Sequence, residues 1–305
     1  MMASFDIDKI NQAVADDPRA LIERSDAEYE RKITDAARVI ATRLKESPVV
    51  LLSGPSGSGK TTTANKLTRR LEKMGIRSHT VSMDDYFRSC REDTYPRTPE
   101  GDPDFESPLG MDIPLLNQHF EQLARGEEIL VPHFQFVRQM RDTSHYTPLR
   151  VGPDEVVIFE GIHALNDLFA HPGATCLYIS ARTDLSRGGE VVIPHTWTRF
   201  MRRTVRDYNY RGSAALQTMQ MWPNIRRGEK LYISPYKDRA QIQFDTSLAY
   251  EVPVLRGFAE PLLAALPENA PELGNVRTML ESLRELEPMD AWLVPETSLL
   301  REFIR

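Results

Sequence analysis

Gly54-Pro55-Ser56-Gly57-Ser58-Gly59-Lys60-Thr61 fills every defined position of the pattern G-x-x-x-x-G-K-[ST]. Glycines let such a loop curl until several backbone N–H groups converge. Those donors, with the positive end of a following helix, hold two phosphates. Gly54, Ser56, Gly57, Ser58, Gly59, Lys60, Thr61 and Thr62 are the expected nucleotide cradle. Lys60 can reach the β- and γ-phosphates, and the Thr61 hydroxyl can ligate Mg²⁺. The pattern indicates a nucleoside triphosphate and does not by itself separate kinase from ATPase or GTPase.

Two acidic positions follow apolar runs. Asp84 and Asp85 come after Ile76–Val81, and Glu160 comes after Val156–Phe159. Ligands of open α/β sheets bind outside the carboxyl ends of the strands. A carboxylate there can take a proton from an attacking hydroxyl, hold the Mg²⁺ shell, or only cap a turn. Glu160 is the expected second acid of the site, gripping Mg²⁺ or its waters. Gly161 allows a tight turn, and His163 either touches substrate or serves that turn. Arg199, Arg202, Arg203, Arg206 and Arg211 lie within thirteen residues, and Arg199, Arg202 or Arg203, and Arg206 share one helix face by spacing. They fit a solvated face, a nucleic-acid surface, or a mobile lid whose charges close over phosphates, with Arg211-Gly212 as a hinge.

These groups need elements to position them. Val49–Leu52 is a continuous apolar run, as in a strand buried on both faces. A helix is expected from Lys60 to Met74, ending at Gly75, then a strand at Ile76–Val81 and a long loop over 88–110. Further helices are expected at 112–124, 197–210, 213–228, 257–265 and 272–286, and strands at Val156–Phe159, Cys176–Ile179 and Ile242–Phe244. Ser25 and Glu28 fit a capping box opening a surface helix over Asp26–Lys45. Strands alternating with helices predict an α/β fold with a doubly wound, mostly parallel sheet. The expected organisation is a helical prefix over 1–46, an α/β domain over 47–266 with a lid near 196–230, and a helical extension over 267–305.

The chain has 305 residues, 41% hydrophobic and 27% charged, with a net charge of -6. That is globular composition, and its acidity disfavours nucleic acid as a partner. Cys90 and Cys176 cannot build a disulfide framework, which points to a reducing cytoplasm. The first twenty residues lack the pattern of a signal peptide, and no apolar run is long enough to span a membrane.

The ordered set of motifs resembles the phosphoribulokinase/uridine kinase family of P-loop kinases, and within it the bacterial uridine-kinase-like nucleoside kinases. Its carriers are GPSGSGKTTTANKL (54–67), SMDDYF (82–87), DFESP (104–108), VPHFQF (131–136), VVIFEGIHAL (156–165), RRTVRDYNYRG (202–212) and MWPNIRRGEKLYISPY (221–236), with VPETSLLREFI (294–304) as a similar tail. The resemblance implies ATP and Mg²⁺ as cofactors, a nucleoside as substrate and a homo-oligomer. It makes Asp84 the base facing the 5′-hydroxyl, with Tyr86 and His163 beside the substrate, Lys60 and Arg206 catalytic, and Thr61, Glu160 and Asp84 around the metal. It places Glu106 at the ribose hydroxyls and Phe134, Phe136, Gln139 and Arg141 at the base. Arg203, Arg206 and Arg211 match lid arginines, and Tyr232–Tyr236 lies where adenine is expected. Uridine kinases usually carry Tyr and His where this chain has Phe134 and Gln139, and Asp where it has Glu106, which leaves the nucleoside open. His195 and Trp197 can add a stacking wall or only pack. The alternatives are a kinase for another hydroxyl, such as a sugar phosphate, and a catalytically silent nucleotide-binding regulator.

Overall fold

Five apolar or alternating segments pair as parallel strands, and their order decides where a ligand can sit. A computed structural model describes residues 4–91, 93–136, 138–169 and 171–304. In chain order its first elements are β1 (Ser4–Asp6), α1 (Ile7–Asp16), α2 (Pro18–Arg43), β2 (Val49–Ser53), α3 (Lys60–Lys73) and β3 (Arg77–Ser82). Then come α4 (Ile113–Ala124), β4 (Ile129–Gln135), β5 (Met140–Leu149), β6 (Glu155–Glu160), β7 (Thr175–Ser180), β8 (Asp184–Arg187) and β9 (Glu190–Ile193). The chain continues through α5 (His195–Arg211), α6 (Ala215–Gly228), β10 (Ile242–Asp245), α7 (Glu251–Ala264) and α8 (Leu273–Leu283).

The main sheet has the order β10-β7-β2-β6-β3, all parallel. All five β2 residues are buried, as the unbroken run Val49–Leu52 requires when helices cover both faces. β2 lies between β6 and β7, so the chain leaves its carboxyl end at the point where strand order reverses. The phosphate-loop pattern starts there, where open α/β sheets bind ligands. The doubly wound α/β expectation is met.

One face of the sheet packs on a cluster that includes Ile33 and Ile40 of α2, Leu67 of α3, Leu255 of α7 and the tail residues Leu299 and Phe303. The N-terminal helices and the C-terminal tail therefore share one core with the sheet. The other face, with Phe159 of β6, packs on Phe120 of α4 and Phe134 of the β4–β5 hairpin.

Several expectations are corrected. No helix starts at Ser25: α2 begins at Pro18, capped by the Asp17 side chain, which accepts from the Ala20 N–H. Proline at the first helical position and Asp as its cap are a stronger start signal than Ser25/Glu28. Ser25 is mid-helix, its hydroxyl donating to the Leu21 carbonyl, and Glu28 pairs with Lys32. The helix expected from 257 already begins at Glu251. The sequence reading also missed the β4–β5 hairpin and the small β1-β8-β9 sheet. No helix among the described residues is long and apolar enough to cross a membrane.

Candidate active site

The loop after β2 is shaped by backbone that only glycine adopts easily. Gly57 and Gly59 have φ of 75° and 84°, and a Cβ on Gly57 would lie 2.9 Å from the Arg199 carbonyl oxygen. A Cβ on Gly54 would lie 2.2 Å from the Ile179 carbonyl oxygen, so that position also excludes a side chain. Neighbours pin the loop from outside: Arg199 donates to the Ser56 carbonyl, Arg202 to that of Gly57, and the Thr246 hydroxyl to that of Ser58. The loop is thus set before any phosphate arrives. α3 then starts at Lys60, and Lys60 and Thr61 line the cavity.

That cavity, of about 300 Å³, joins the loop to the rest of the site. Its floor holds Ser56, Gly57, Gly59, Lys60 and Thr61, with Asp84 and Glu160 beside them. The Thr61 hydroxyl lies 3.4 Å from Glu160 Oε1, and Lys60 Nζ lies 3.5 Å from the Pro55 carbonyl. Burial lowers the Lys60 pKa, against the pull of Glu160 and Asp84. Burial raises Asp84, with Lys60 and Arg211 opposing. Burial lifts Glu160 to about 7, again opposed by Lys60. A carboxyl group raised in this way accepts a proton more readily near neutral pH.

Asp84 and Asp85 have separate uses. Asp84 faces the cavity, whereas Asp85 accepts the Phe134 N–H at 3.1 Å and ties the hairpin to the turn after β3. Phe134 and Phe136 line the cavity with Phe87, ring centroids 5.2 and 5.9 Å from that of Phe134. Gln139, held at φ 53°, lines it too, and its Oε1 accepts from Cys90 Sγ. Glu106 enters from the 88–110 loop, packed so tightly on α6 that a Cβ on Gly228 would lie 2.4 Å from its own Cβ. Burial lifts Glu106 to about 7, Arg203 opposing.

The arginines divide into two groups. Arg203, Arg206 and Arg211 line the cavity. Asp207, 4% exposed, lies between them: Arg206 donates to it at 2.9 and 3.1 Å, and Arg203 and Arg211 stand at 3.2 and 3.4 Å. Arg203 also donates to the Ser56 hydroxyl at 2.7 Å. Arg199 and Arg202, 1% and 0% exposed, are not on that face and not solvated. Arg199 grips Glu229 through two nitrogens, and Arg202 pairs with Glu251 at 2.5 Å. Buried charges need such partners, and these two bolt α5 to the loop.

Other expected site residues lie outside the cavity. Tyr86 is fully buried, its hydroxyl on His119 Nδ1. Arg141 pairs with Asp112 and donates to the Tyr86 carbonyl. His163 is buried in the turn after β6, its pKa lowered by burial to about 3, near the Tyr232 ring. Tyr232–Tyr236 is not among the cavity's lining residues. His195 pairs with Asp184, and Trp197 lines a separate groove with Trp222. Gly54, Ser58 and Thr62 complete the loop and helix start without lining the cavity.

Sequence reasoning missed Asp207 and Glu302. Asp207 carried a signal, since it sits four residues from both Arg203 and Arg211. Glu302 carried only its place in the tail 294–304 that resembles the family's, with nothing to say that the tail returns to the site.

Mg²⁺ fits this donor set. Among the described residues no cluster of three or more acidic, His or Cys side chains forms a self-sufficient metal cage. The ion instead commonly keeps waters and takes one or two carboxylates plus substrate phosphates. Thr61, Glu160 and Asp84, all lining the cavity, match that demand.

Loop, parallel sheet and the acids at its strand ends define a P-loop nucleotide-binding site, and the family match makes it that of a kinase, a phosphotransferase. Residues 49–252 match the phosphoribulokinase / uridine kinase family, and the chain belongs to that family. Relatives include a uridine kinase of Staphylococcus epidermidis, 26% identical over 204 residues, covering 65% of this chain and 87% of the relative. A uridine kinase of Deinococcus deserti is 26% identical over 196 residues, covering 64% and 85%. A solved structure from Silicibacter sp. TM1040, described as a fructose transport system kinase, is 21% identical with a TM-score of 0.49, covering 70% of this chain and 98% of that one.

Proposed function

We propose that the protein transfers the γ-phosphoryl group of ATP to the 5′-hydroxyl of a uridine- or cytidine-like nucleoside. The observation that carries this reading is one cavity lined by the phosphate loop, Asp84, Glu106 and the aromatic wall of Phe134 and Phe136. The loop N–H groups and Lys60 hold the triphosphate. Thr61 and Glu160, with Asp84, would hold Mg²⁺, which supplies charge neutralisation on the β- and γ-oxygens when bound. Asp84 orients the acceptor hydroxyl and takes its proton as the new P–O bond forms and the bond to ADP breaks. Arg203, Arg206 and Arg211 spread positive charge over the oxygens in transfer. Glu106 accepts from the ribose hydroxyls, and the phenyl rings stack on the base.

The uridine kinases among the relatives support the nucleoside assignment. Three arginines beside Glu106 also suit the phosphate of a sugar-phosphate acceptor, which is the second reading. ADP release with Mg·ATP over a panel of nucleosides, sugar phosphates and polyols separates the two. Turnover with a pyrimidine nucleoside, lost in Asp84→Asn, is the expected result. Turnover confined to sugar phosphates or polyols would overturn the nucleoside assignment and keep the phosphate-site chemistry.

A further inference from the structure

Residues 294–304 bring the end of the chain back to the phosphate loop. Leu299–Glu302 form a single 3-10 turn, with Leu299, Leu300, Phe303 and Ile304 all fully buried. The Ser298 hydroxyl accepts the Leu300 N–H and lies 2.6 Å from the Tyr250 hydroxyl. The Phe303 ring lies 5.1 Å from the Arg202 guanidinium carbon. At the end of α5, Asn209 donates to the Phe303 carbonyl and Tyr210 to that of Ile304. The turn touches the cradle itself, since a Cβ on Gly59 would lie 2.5 Å from Leu299 Cδ1.

From this fixed turn Glu302 reaches across to α3. Its Oε2 accepts the Thr62 N–H at 3.1 Å, and its carboxylate lines the same cavity as Lys60 and Asp84. The N–H donors at the start of this helix are the groups that cradle phosphate in P-loop sites. A carboxylate there has the charge sign of a phosphate and uses the same kind of donor. We infer that Glu302 is an affinity-setting residue of the donor site, an internal anion that competes with the triphosphate for Thr62 and must turn aside when nucleotide binds. The inference rests on the kinase reading given above. It makes the tail, through Asn209 and Tyr210, a link between lid helix and cradle.

A carboxylate that only capped α3 would affect stability and leave nucleotide affinity alone. The test is therefore a calorimetric titration of the full chain with Mg·ATP. Glu302→Gln keeps the shape and removes the charge, and is expected to bind about tenfold more tightly, the scale of one charge-assisted hydrogen bond. Glu302→Asp keeps the charge but withdraws it by one methylene, and is expected to share part of the gain. Glu296→Gln removes a charge from the same tail at a side chain 87% exposed and outside the cavity, and is expected to bind as the parent does. Equal or weaker binding by Glu302→Gln, in protein that melts as the parent does, overturns the inference and leaves the kinase reading standing. An equal gain in Glu296→Gln also overturns it, because net charge alone would then explain the effect. Failure of parent and variants alike to bind Mg·ATP would bring down the kinase reading, and the inference with it.

Discussion

Asp207→Asn replaces one carboxylate with an amide of the same shape and should loosen three arginines at once. Arg206 donates to Asp207 at 2.9 and 3.1 Å, Arg203 Nε lies at 3.2 Å and Arg211 Nη1 at 3.4 Å. The Arg203 and Arg206 side chains are only 11% and 15% exposed, so losing the opposing charge leaves two desolvated guanidinium groups short of a partner. Arg211 is 56% exposed, so its share is screened and small. The Arg206 hydrogen bonds, at about 1.5–3 kcal/mol, and the close Arg203 ion pair, less what the amide oxygen retains, give an expected loss of about 2–4 kcal/mol. Arg203, Arg206 and Arg211 also repel one another, and Asp207 is what lets them converge. Their displacement by about 1 Å should lower kcat roughly 10- to 100-fold, with a smaller change in KM for ATP. Urea unfolding gives the first quantity and initial rates the second. A stability loss below about 1 kcal/mol with kcat within twofold of the parent would refute the hub assigned to Asp207.

Three further outcomes are expected. Burial lifts Glu106 to about 7, whereas the unfolded carboxyl ionises near 4.5, so the folded protein holds a proton in that window that the unfolded chain releases. Stability therefore falls as pH rises from 4.5 through 7, and the melting temperature of Glu106→Gln relative to the parent should climb between pH 5 and 8; a difference independent of pH would contradict this. Gly57→Ala meets both a φ of 75° and the Arg199 carbonyl oxygen at 2.9 Å, whereas Gly75→Ala meets a φ of 81° with open space around it. Gly75→Ala should cost about 1 kcal/mol in urea unfolding and Gly57→Ala clearly more, with nucleotide binding impaired only in the latter; equal costs would remove the steric argument. Arg202→Met strands the Glu251 carboxylate, 1% exposed, and should cost about 3–5 kcal/mol, mostly recovered by adding Glu251→Leu; additive losses would contradict the pairing.

The parts legible in the sequence are those whose signal is local. The loop 54–61 is read from eight adjacent residues, and its strand and helix from runs on either side. Asp84 and Glu160 were legible because each follows a strand of the parallel sheet, whose carboxyl end must face the ligand; only the strand before Glu160 is buried throughout its last five residues. The arginine series was half legible: spacing grouped Arg199 and Arg202 with Arg206, but only tertiary contact shows Glu229 and Glu251 waiting for them. Tyr86 and Arg141 were drawn to the site by motif likeness, yet each is committed to a neighbour, His119 and Asp112. The β4–β5 hairpin was hidden by Pro132 and Pro148 and by a register shift between Val131 and His133. Glu302 lies 240 positions from Thr62, a separation no periodicity or motif spacing can report.

The most direct test of the central claim is ³¹P NMR of the enzyme with Mg·ATP and uridine, beside the same mixture with Asp84→Asn. The account expects ADP and a new phosphomonoester signal coupled to the 5′-methylene protons, in equal amounts, with neither formed by the variant. ADP appearing with inorganic phosphate alone, or a monoester formed undiminished by Asp84→Asn, would contradict it.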